Sequence, residues 1–348
     1  MKPVVVFGGY GVFGSLVARD IAVLGHEVTV AGRDGRQAEA AARALGPRHR
    51  GVAADLTDAA SCRQALSGQS VAVSCAGPFS ALGETLLQAC LETRCHYVDI
   101  SDDRAYAARV RGFDARYREA GLTAAYGCSS LPGLSGALAL QAREEGAAAP
   151  DSVRVTLFIG NDNPKGSAAI RSAVEGLGRP IAAPQGALRG FADGERVDLP
   201  DPFGRRTVYN FDSPEYDLFP ALIGVTSVTV KVGFERGLAT RMFAVLGRLS
   251  ARYGKRTARM LWGIGRLAGR TGHEGGAVLV ELRFTDGSVG RASLVGDQRM
   301  AALPCALVAT ALASGHPQPA GAMTAYEMLG HHDLLAAMAS RGYRAQLG

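Results

Sequence analysis

The chain has 348 residues, of which 47% are hydrophobic and 20% are charged, and this length suits two domains with sizeable cores. No run approaches the roughly 18 apolar residues of a membrane span, and the six cysteines form no C-x-x-C pair. Without a recognisable signal peptide, we expect reduced thiols in a cytoplasmic protein. The net charge of +6 is concentrated in residues 231–272, which argues against a generally basic nucleic-acid-binding protein.

Strand and helix patterns alternate over the first 126 residues. Continuous apolar runs predict strands, and the Ala-rich or amphipathic stretches between them predict helices. The predicted strands are 4–7, 27–31, 51–54, 70–76, 96–100 and 122–127. Apolar strands separated by helices are typical of a parallel sheet covered on both faces, so we predict a doubly wound α/β domain over residues 1–130.

The first predicted strand runs into the pattern Gly9-x-Gly11-x-x-Gly14, and a predicted helix follows. In a dinucleotide site, Gly9 allows the tight turn, Gly11 lets a pyrophosphate approach the backbone, and Gly14 lets the helix pack against the strand. The first helical amides, near Val12 and Phe13, would face the phosphates. The context predicts a Rossmann dinucleotide site, although a bare strand-to-helix turn gives the same spacing.

The end of the second predicted strand indicates which dinucleotide binds. A site that prefers NAD places an Asp or Glu here to bind the ribose 2′-hydroxyl, whereas this sequence has Arg33. A guanidinium binds a 2′-phosphate and stacks on adenine, so NADPH or NADP is favoured over NAD. The adjacent Asp34 weakens this distinction, and the alternative is that Arg33 is an ordinary exposed loop residue.

Two further strand ends supply predicted cofactor contacts. Asp55 and Leu56 follow the third strand, at the usual place for contacts around the adenine. The fourth strand ends beside the dinucleotide crevice of a doubly wound sheet. The residues there are Cys75, Ala76, Gly77, Pro78 and Phe79. We predict that Phe79 borders the nicotinamide; the alternative is a stiff strand exit with Phe79 in the core.

The segment HYVDISDD (96–103) contains the candidate catalytic residues. Tyr97 and Asp99 share one face of the predicted strand by period-2 alternation and would point into the crevice. Tyr97 would donate a proton, and Asp99 would orient it or a substrate amine. A packed tyrosine with Asp102 as a helix cap explains the pattern equally well. The chain has no Tyr-x-x-x-Lys motif and no zinc-ligand spacing, so no metal is expected.

The pattern changes beyond residue 130. Longer strands with period-2 alternation, including a hairpin that turns at Asp286-Gly287, predict a mixed or antiparallel sheet. We therefore expect a second, α+β domain over residues 131–302, which would bind substrate and form the dimer. A helical segment, residues 303–348, follows, and the sequence does not assign it to either domain.

Two features of this second domain suggest ligand or partner binding. Asn161 and Lys165, in a loop after a predicted strand, would hold a substrate carboxylate, unless Lys165 is an ordinary solvated lysine. Residues 241–270 combine apolar positions at helical spacing with a basic opposite face. This pattern suits a membrane surface or an acidic partner such as an acyl carrier protein, or else a solvated face over a packed one.

Four segments resemble the saccharopine dehydrogenase/reductase-like family. They are FGGYGVFG (7–14), AGRD (31–34), CAGPFSALGETLLQACLETRCHYVDISD (75–102) and GCSSLPGLSG (127–136). The resemblance covers about residues 3–136 and implies a Rossmann domain, a substrate and dimerisation domain, and a nicotinamide cofactor. The chain departs from the family at Asp102-Asp103, where many relatives have Gly-Glu.

These patterns and the resemblance together predict an NADPH-dependent oxidoreductase, a homodimer that acts on a small molecule and transfers a hydride to or from a C=N bond. A trans-acting enoyl or carbonyl reductase for a lipophilic or carrier-bound substrate of a biosynthetic pathway is the first alternative, and the basic segment supports it. A non-catalytic nucleotide-binding scaffold at a membrane or partner is the second. The sequence does not identify the substrate.

Overall fold

The computed structural model describes residues 2–146, 148–164, 174–235, 245–247 and 272–348. Lys165 and nearly all of the basic segment 241–270 lie outside the described residues. The chain forms two compact units. The first comprises Met1–Ser129 and Ala301–Gly330, and the second comprises Ser130–Met300 and His331–Gly348. The predicted helical segment 303–348 is therefore divided between the units.

The strands and helices are numbered in chain order. The strands are β1 (Val4–Phe7), β2 (Val28–Gly32), β3 (Arg50–Ala53), β4 (Val71–Ser74), β5 (His96–Asp99), β6 (Thr123–Tyr126), β7 (Pro150–Ile159), β8 (Pro180–Ala183), β9 (Gly186–Arg189), β10 (Glu195–Leu199), β11 (Gly204–Asn210), β12 (Ser227–Phe234), β13 (Gly276–Phe284), β14 (Val289–Gly296), β15 (Gly321–Thr324) and β16 (Gln346–Leu347). The helices are α1 (Val12–Val23), α2 (Gly35–Leu45), α3 (Ala59–Leu66), α4 (Thr85–Thr93), α5 (Arg104–Arg111), α6 (Asp114–Glu119), α7 (Ser135–Glu145), α8 (Glu215–Ile223), α9 (Arg299–Ala313), α10 (Ala325–Leu329) and α11 (His331–Ala339).

The first unit is built on a seven-stranded sheet in the order β15-β6-β5-β4-β1-β2-β3, and every pairing in it is parallel. All residues of β1 and β4 are buried. Strands that are buried on both faces need apolar side chains on both, which is why they read as continuous apolar runs. The predicted doubly wound α/β fold is confirmed.

The C-terminal part of the chain adds an edge strand to this sheet. β15 pairs in parallel with β6, with Gly321 opposite Thr123. The Asp114 carboxylate accepts a hydrogen bond from the Ala322 backbone N–H, 2.9 Å away, and so anchors β15 to α6. Thr324 and Glu327 form a capping box that begins α10 directly after the strand.

The second unit contains a mixed seven-stranded sheet in the order β10-β11-β12-β7-β13-β14-β16. Among the described strand pairings of this second sheet, only the central pair, β12 and β7, is parallel. The β13–β14 hairpin turns where predicted, and Gly287 has a φ of +86°, which favours glycine. The second α+β domain with a mixed sheet is thus confirmed as a fold.

Within the described residues, no helix combines the length and the apolar character that crossing a membrane would require.

Candidate active site

The glycine loop closes the carboxyl end of β1. Gly8 has a φ of +75°, and its backbone N–H donates to the Ala31 carbonyl oxygen, 2.7 Å away. The Gly11 N–H turns back to the Gly8 carbonyl oxygen at 2.8 Å, and α1 begins at the next residue. Gly11 has no side chain to cap this helix, so the first amides, at Val12 and Phe13, are oriented to receive an anion.

The three predicted glycines differ in the space around them. A Cβ on Gly14 would lie 2.1 Å from the Gly8 carbonyl oxygen, and one on Gly9 would lie 2.9 Å from the Val6 carbonyl oxygen. A Cβ on the exposed Gly11 would lie 3.1 Å from the Gly8 carbonyl oxygen. Gly9 and Gly14 are therefore required by the turn and the packing, whereas Gly11 borders the space where a pyrophosphate would lie.

The carboxylate of Asp34 is occupied by the start of α2. Its Oδ1 accepts hydrogen bonds from the backbone N–H groups of Arg36 and Gln37 at 3.0 and 3.1 Å, and its Oδ2 accepts one from Gln37 Nε2 at 2.8 Å. The bonds from Gln37 and Arg36 lower the pKa of Asp34. Asp34 is thus a helix cap, and the neighbouring Arg33 at the end of β2 is exposed.

Asp55 and Leu56 follow β3 and are half-buried. Asp55 Oδ1 accepts hydrogen bonds from the Thr57 backbone N–H at 2.9 Å and from its hydroxyl at 2.8 Å. These bonds lower the pKa of Asp55, and the positive charge of Arg33 adds to the effect. Arg33 and Asp55 therefore lie on the same edge of the sheet, where the adenosine half of a dinucleotide would bind.

The exit of β4 abuts the glycine loop. The Cys75 N–H donates to the Phe7 carbonyl oxygen at 2.9 Å, and a Cβ on Gly8 would lie 2.9 Å from the Ala76 nitrogen. Cys75, Ala76 and Pro78 are half-buried, and Gly77 is exposed. The structure thus brings the β4 exit beside the predicted phosphate loop.

Phe79 faces the interior of the first unit. It begins a short 3₁₀ turn, Phe79–Ala81, is buried, and packs its ring 5.2 Å from the ring of Tyr106. This contact favours the core interpretation of Phe79 over a direct wall for the nicotinamide. Gly77, which precedes it, is the more accessible residue of this exit.

Tyr97 is completely buried on β5. Its hydroxyl lies 2.9 Å from the hydroxyl of Tyr106, which is also buried. Burial raises the pKa of Tyr97 well above its usual value, and the negative charge of Asp99 adds to this. In this position Tyr97 is suited to orienting its neighbours, and its hydroxyl has no accessible surface from which to contact a substrate.

Asp99 ends β5 and is also fully buried. Its Oδ1 accepts hydrogen bonds from the backbone N–H groups of Ser101 and Gly127, both at 2.9 Å. Its Oδ2 meets no hydrogen-bond partner among the described residues. Burial raises the pKa of Asp99 to about 6, although the two amides oppose the shift. The cap of α5 is the neighbouring Asp103, which accepts from the Tyr106 N–H at 2.8 Å.

The second unit contains a carboxylate–histidine pair. His273 Nδ1 lies 2.6 Å from Glu235 Oε1, and Glu235 Oε2 accepts from the backbone N–H groups of His273 and Asn161, both at 2.8 Å. The bonds from Asn161 and His273 outweigh desolvation and lower the pKa of Glu235. The His273 side chain is 46% exposed, so its ring, oriented by Glu235, is accessible from solvent.

Asn161 contributes to this site in a different way from the predicted one. The residue is 8% exposed and supplies its backbone amide to Glu235. Its proposed partner in carboxylate binding, Lys165, lies outside the described residues. The neighbouring Asn163 holds the loop, because its side chain exchanges hydrogen bonds with the Gly275 backbone.

Comparison with known proteins identifies the first unit. Residues 4–125 match the family model of the saccharopine dehydrogenase NADP binding domain. These residues belong to that domain family. The chain is accordingly an NAD(P)-dependent oxidoreductase, and NADP(H) is its cofactor. Among curated protein sequences, none matches the chain significantly.

The saccharopine dehydrogenase fold extends over the whole chain. The apo saccharopine dehydrogenase (L-Glu forming) of Saccharomyces cerevisiae aligns over 100% of both chains with 13% sequence identity and a TM-score of 0.69. A short-chain type dehydrogenase/reductase from Mycobacterium ulcerans aligns over 36% of this chain and 66% of its own, with 16% identity and a TM-score of 0.31. Serine dehydrogenase from Escherichia coli aligns over 36% and 79%, with 17% identity and a TM-score of 0.31.

The family assignment explains the grouping of residues in the first unit. The glycine loop, Arg33 and the exits of β3 and β4 all lie at the carboxyl edge of the parallel sheet, where dinucleotides bind in doubly wound folds. Sequence reasoning did not find the Glu235–His273 pair. The two residues stand 38 positions apart, and no spacing rule connects them.

Proposed function

We propose that this oxidoreductase transfers a hydride between NADPH and the carbon of a C=N bond. The observation that carries the proposal is the burial of both tyrosines beside the predicted crevice. Reduction of a ketone or an enoyl group requires a proton donor for the developing negative charge. Among the described residues of the first unit, Tyr97 and Tyr106 are poor donors because burial raises both pKa values, whereas a protonated iminium accepts a hydride without such a donor.

The first unit would hold NADPH through the predicted contacts. The glycine loop receives the pyrophosphate, Arg33 receives the 2′-phosphate, and the β4 exit around Gly77 positions the nicotinamide. The cofactor supplies the hydride, and the chain supplies its position relative to the substrate. Arg33 fits this role because the carboxylate of the adjacent residue, Asp34, is engaged as a helix cap.

The substrate is proposed to be an amine or its imine. The yeast enzyme with the same fold is described as L-Glu forming, and L-glutamate carries an amine. In the second unit, His273 would accept or return the proton of an amine, and Glu235 would hold the ring in one orientation. Lys165, predicted to bind a substrate carboxylate, remains a candidate for the acidic end of such a molecule.

The experiment compares three substrate classes with the purified full chain. NADPH consumption is measured with an aldehyde or 2-oxo acid alone, with the same carbonyl plus a primary amine, and with an enoyl thioester. Consumption that requires both carbonyl and amine supports the proposal. Consumption with the carbonyl or the enoyl thioester alone would replace it with the corresponding reductase, and no consumption by any class favours the non-catalytic scaffold.

An enoyl or carbonyl reductase for a carrier-bound substrate is the second candidate. Its support is the run of basic residues in 241–270, which suits an acidic carrier or a membrane surface. Charge reversal at Arg248, Arg252 and Lys255 would abolish binding to such a carrier. The predicted homodimer is tested separately by light scattering during size-exclusion chromatography.

A further inference from the structure

Two consecutive histidines at the start of α11 lie against one carboxylate near the end of α7. His331 Nε2 is 3.0 Å from Glu144 Oε1, and His332 Nε2 is 3.1 Å from Glu144 Oε2. The two imidazole rings have their centroids 4.0 Å apart and are tilted by 36°. One donor atom from each of the three side chains lies within 4.8 Å of the other two. All three residues belong to the second unit.

Hydrogen bonding alone does not account for this cluster. His331 Nε2 is buried and makes no hydrogen bond of normal geometry with the described residues, even though a Glu144 oxygen lies 3.0 Å away. A neutral imidazole and a carboxylate at this distance would normally align the N–H with the oxygen. A cation shared by the nitrogen and the oxygen would account for their close approach without a hydrogen bond.

We propose that Glu144, His331 and His332 bind a divalent cation of the Zn²⁺ class. In a tetrahedral site with bonds of about 2.0–2.1 Å, neighbouring ligand atoms are about 3.3 Å apart. The two observed nitrogen–oxygen separations, 3.0 and 3.1 Å, are close to this spacing. Two imidazoles and a carboxylate suit Zn²⁺ better than Ca²⁺ or Mg²⁺, which prefer oxygen ligands throughout. The fourth position would hold water.

The surrounding charges permit a cation at this place. Glu144 stands in the last turn of α7, at the negative end of the helix dipole. The histidines stand at the positive end of α11, and Asp333 in its first turn offsets that end. A bound ion would therefore link the end of α7 to the start of α11 and stabilise their packing.

The test is calorimetric titration of the metal-stripped full chain, produced without an oligohistidine tag, with ZnCl₂. We expect one site per chain, and at least about tenfold weaker binding in His332→Ala and in Glu144→Gln. Both side chains are at least 46% exposed, so the variants should fold. His316→Ala, which removes an exposed histidine of the first unit, is the matched control and should bind Zn²⁺ as the wild type does.

Two further measurements complete the test. Excess Zn²⁺ should raise the Tm of the wild type and of His316→Ala by more than it raises the Tm of the other two variants. Co²⁺ in place of Zn²⁺ should give the visible absorption of a tetrahedral site. The proposal is overturned if the wild type shows no single-site binding, or if His332→Ala and Glu144→Gln bind as tightly as it does. Far-UV circular dichroism and thermal unfolding without Zn²⁺ confirm that each variant is folded.

Discussion

Tyr10 and Asp34 are joined by a hydrogen bond in which the Asp34 backbone N–H donates to the Tyr10 hydroxyl, 3.2 Å away. Tyr10 belongs to the glycine loop, and Asp34 begins α2. The Tyr10 ring also covers Gly32, where a Cβ would lie 2.4 Å from Tyr10 Cε1. The turn that carries Arg33 is therefore fixed relative to the glycine loop.

Replacing Arg33 should separate NADPH from NADH binding. Arg33→Ala removes the charge-assisted bonds to the 2′-phosphate, which are worth about 1.5–3 kcal/mol, so the Kd for NADPH should rise roughly 10- to 150-fold. The Kd for NADH should change little, because NADH lacks that phosphate. Fluorescence titration with each nucleotide measures both constants. Arg19→Ala, at an exposed position of α1, is the control; equal losses for both nucleotides would contradict the assignment.

Replacing Gly14 or Gly11 of the glycine loop with alanine should affect stability and NADPH binding differently. Gly14→Ala places a methyl group 2.1 Å from a backbone oxygen, so the loop must shift and the free energy of unfolding should fall by more than ~2 kcal/mol. Gly11→Ala is exposed and leaves more room, so the fold should survive while NADPH binding weakens. Thermal unfolding and nucleotide titration of both variants separate the effects. Normal NADPH affinity in Gly11→Ala would place the pyrophosphate elsewhere.

Loss of the Tyr97 hydroxyl should reduce stability more than turnover. In Tyr97→Phe, the buried Tyr106 hydroxyl loses its partner, which should cost about 1–3 kcal/mol of the free energy of unfolding. Because both rings would then be apolar, adding Tyr106→Phe should recover part of that loss. Urea denaturation measures the stability, and steady-state kinetics measures kcat. A large fall in kcat with unchanged stability would instead make Tyr97 the direct proton donor that its strand position predicts.

Asp99 should make the stability depend on pH. Its pKa is about 6 in the folded chain against an ordinary 3.8, so between these values the folded state holds a proton that the unfolded state has lost. Stability should therefore fall as the pH rises through this window. The whole difference corresponds to about 3 kcal/mol. Asp99→Asn does not titrate, so it should gain stability relative to the wild type between pH 3.8 and about 6.

The control for this prediction is a carboxylate whose pKa shifts in the opposite direction. Hydrogen bonds from Ser288 lower the pKa of the exposed Asp286. Asp286→Asn should therefore lose stability relative to the wild type as the pH rises through the acid range. Urea denaturation at several pH values measures all three proteins. A constant difference between Asp99→Asn and the wild type would show that Asp99 is not the titrating group.

Glu235→Gln should impair turnover without affecting cofactor binding. Glutamine cannot hold His273 as the carboxylate does, so kcat/KM should fall by roughly tenfold or more, mainly through kcat. The Kd for NADPH should not change, because the cofactor contacts are assigned to the other unit. Glu274→Gln, at the exposed residue beside His273, is the matched control. Equal activity in the two variants would remove the Glu235–His273 pair from the proposed mechanism.

The sequence predicts the first unit well because its signals are local. Strands buried on both faces require apolar runs, and the glycine spacing follows from contacts between residues close in sequence, such as Gly8 and Gly14. The turn at Asp286-Gly287 is predictable for the same reason. Asp34 is different: a carboxylate at a strand end can cap a helix or bind a ribose, and only the positions of Arg36 and Gln37 distinguish the two roles.

Pairings between distant residues cannot be predicted in this way. The role of Tyr97 depends on Tyr106, which is contributed by α5, and the sequence pattern of β5 says nothing about that partner. The cap of α5 is Asp103, whereas the alternative interpretation of the sequence used Asp102. Glu235 and His273 are 38 positions apart, and no spacing rule connects them.

The edge strand β15 has a consequence for how the protein is made. The sheet of the first unit needs Gly321–Thr324 beside Thr123–Tyr126, so all of Ser130–Met300 must leave the ribosome before that sheet is complete. Until then the β6 edge exposes unpaired backbone groups, which are a template for association with other chains. The larger part of the second unit, Ser130–Met300, is thus inserted within the first. A nascent chain stalled before residue 321 should depend on chaperones even though its nucleotide loop has already been synthesised.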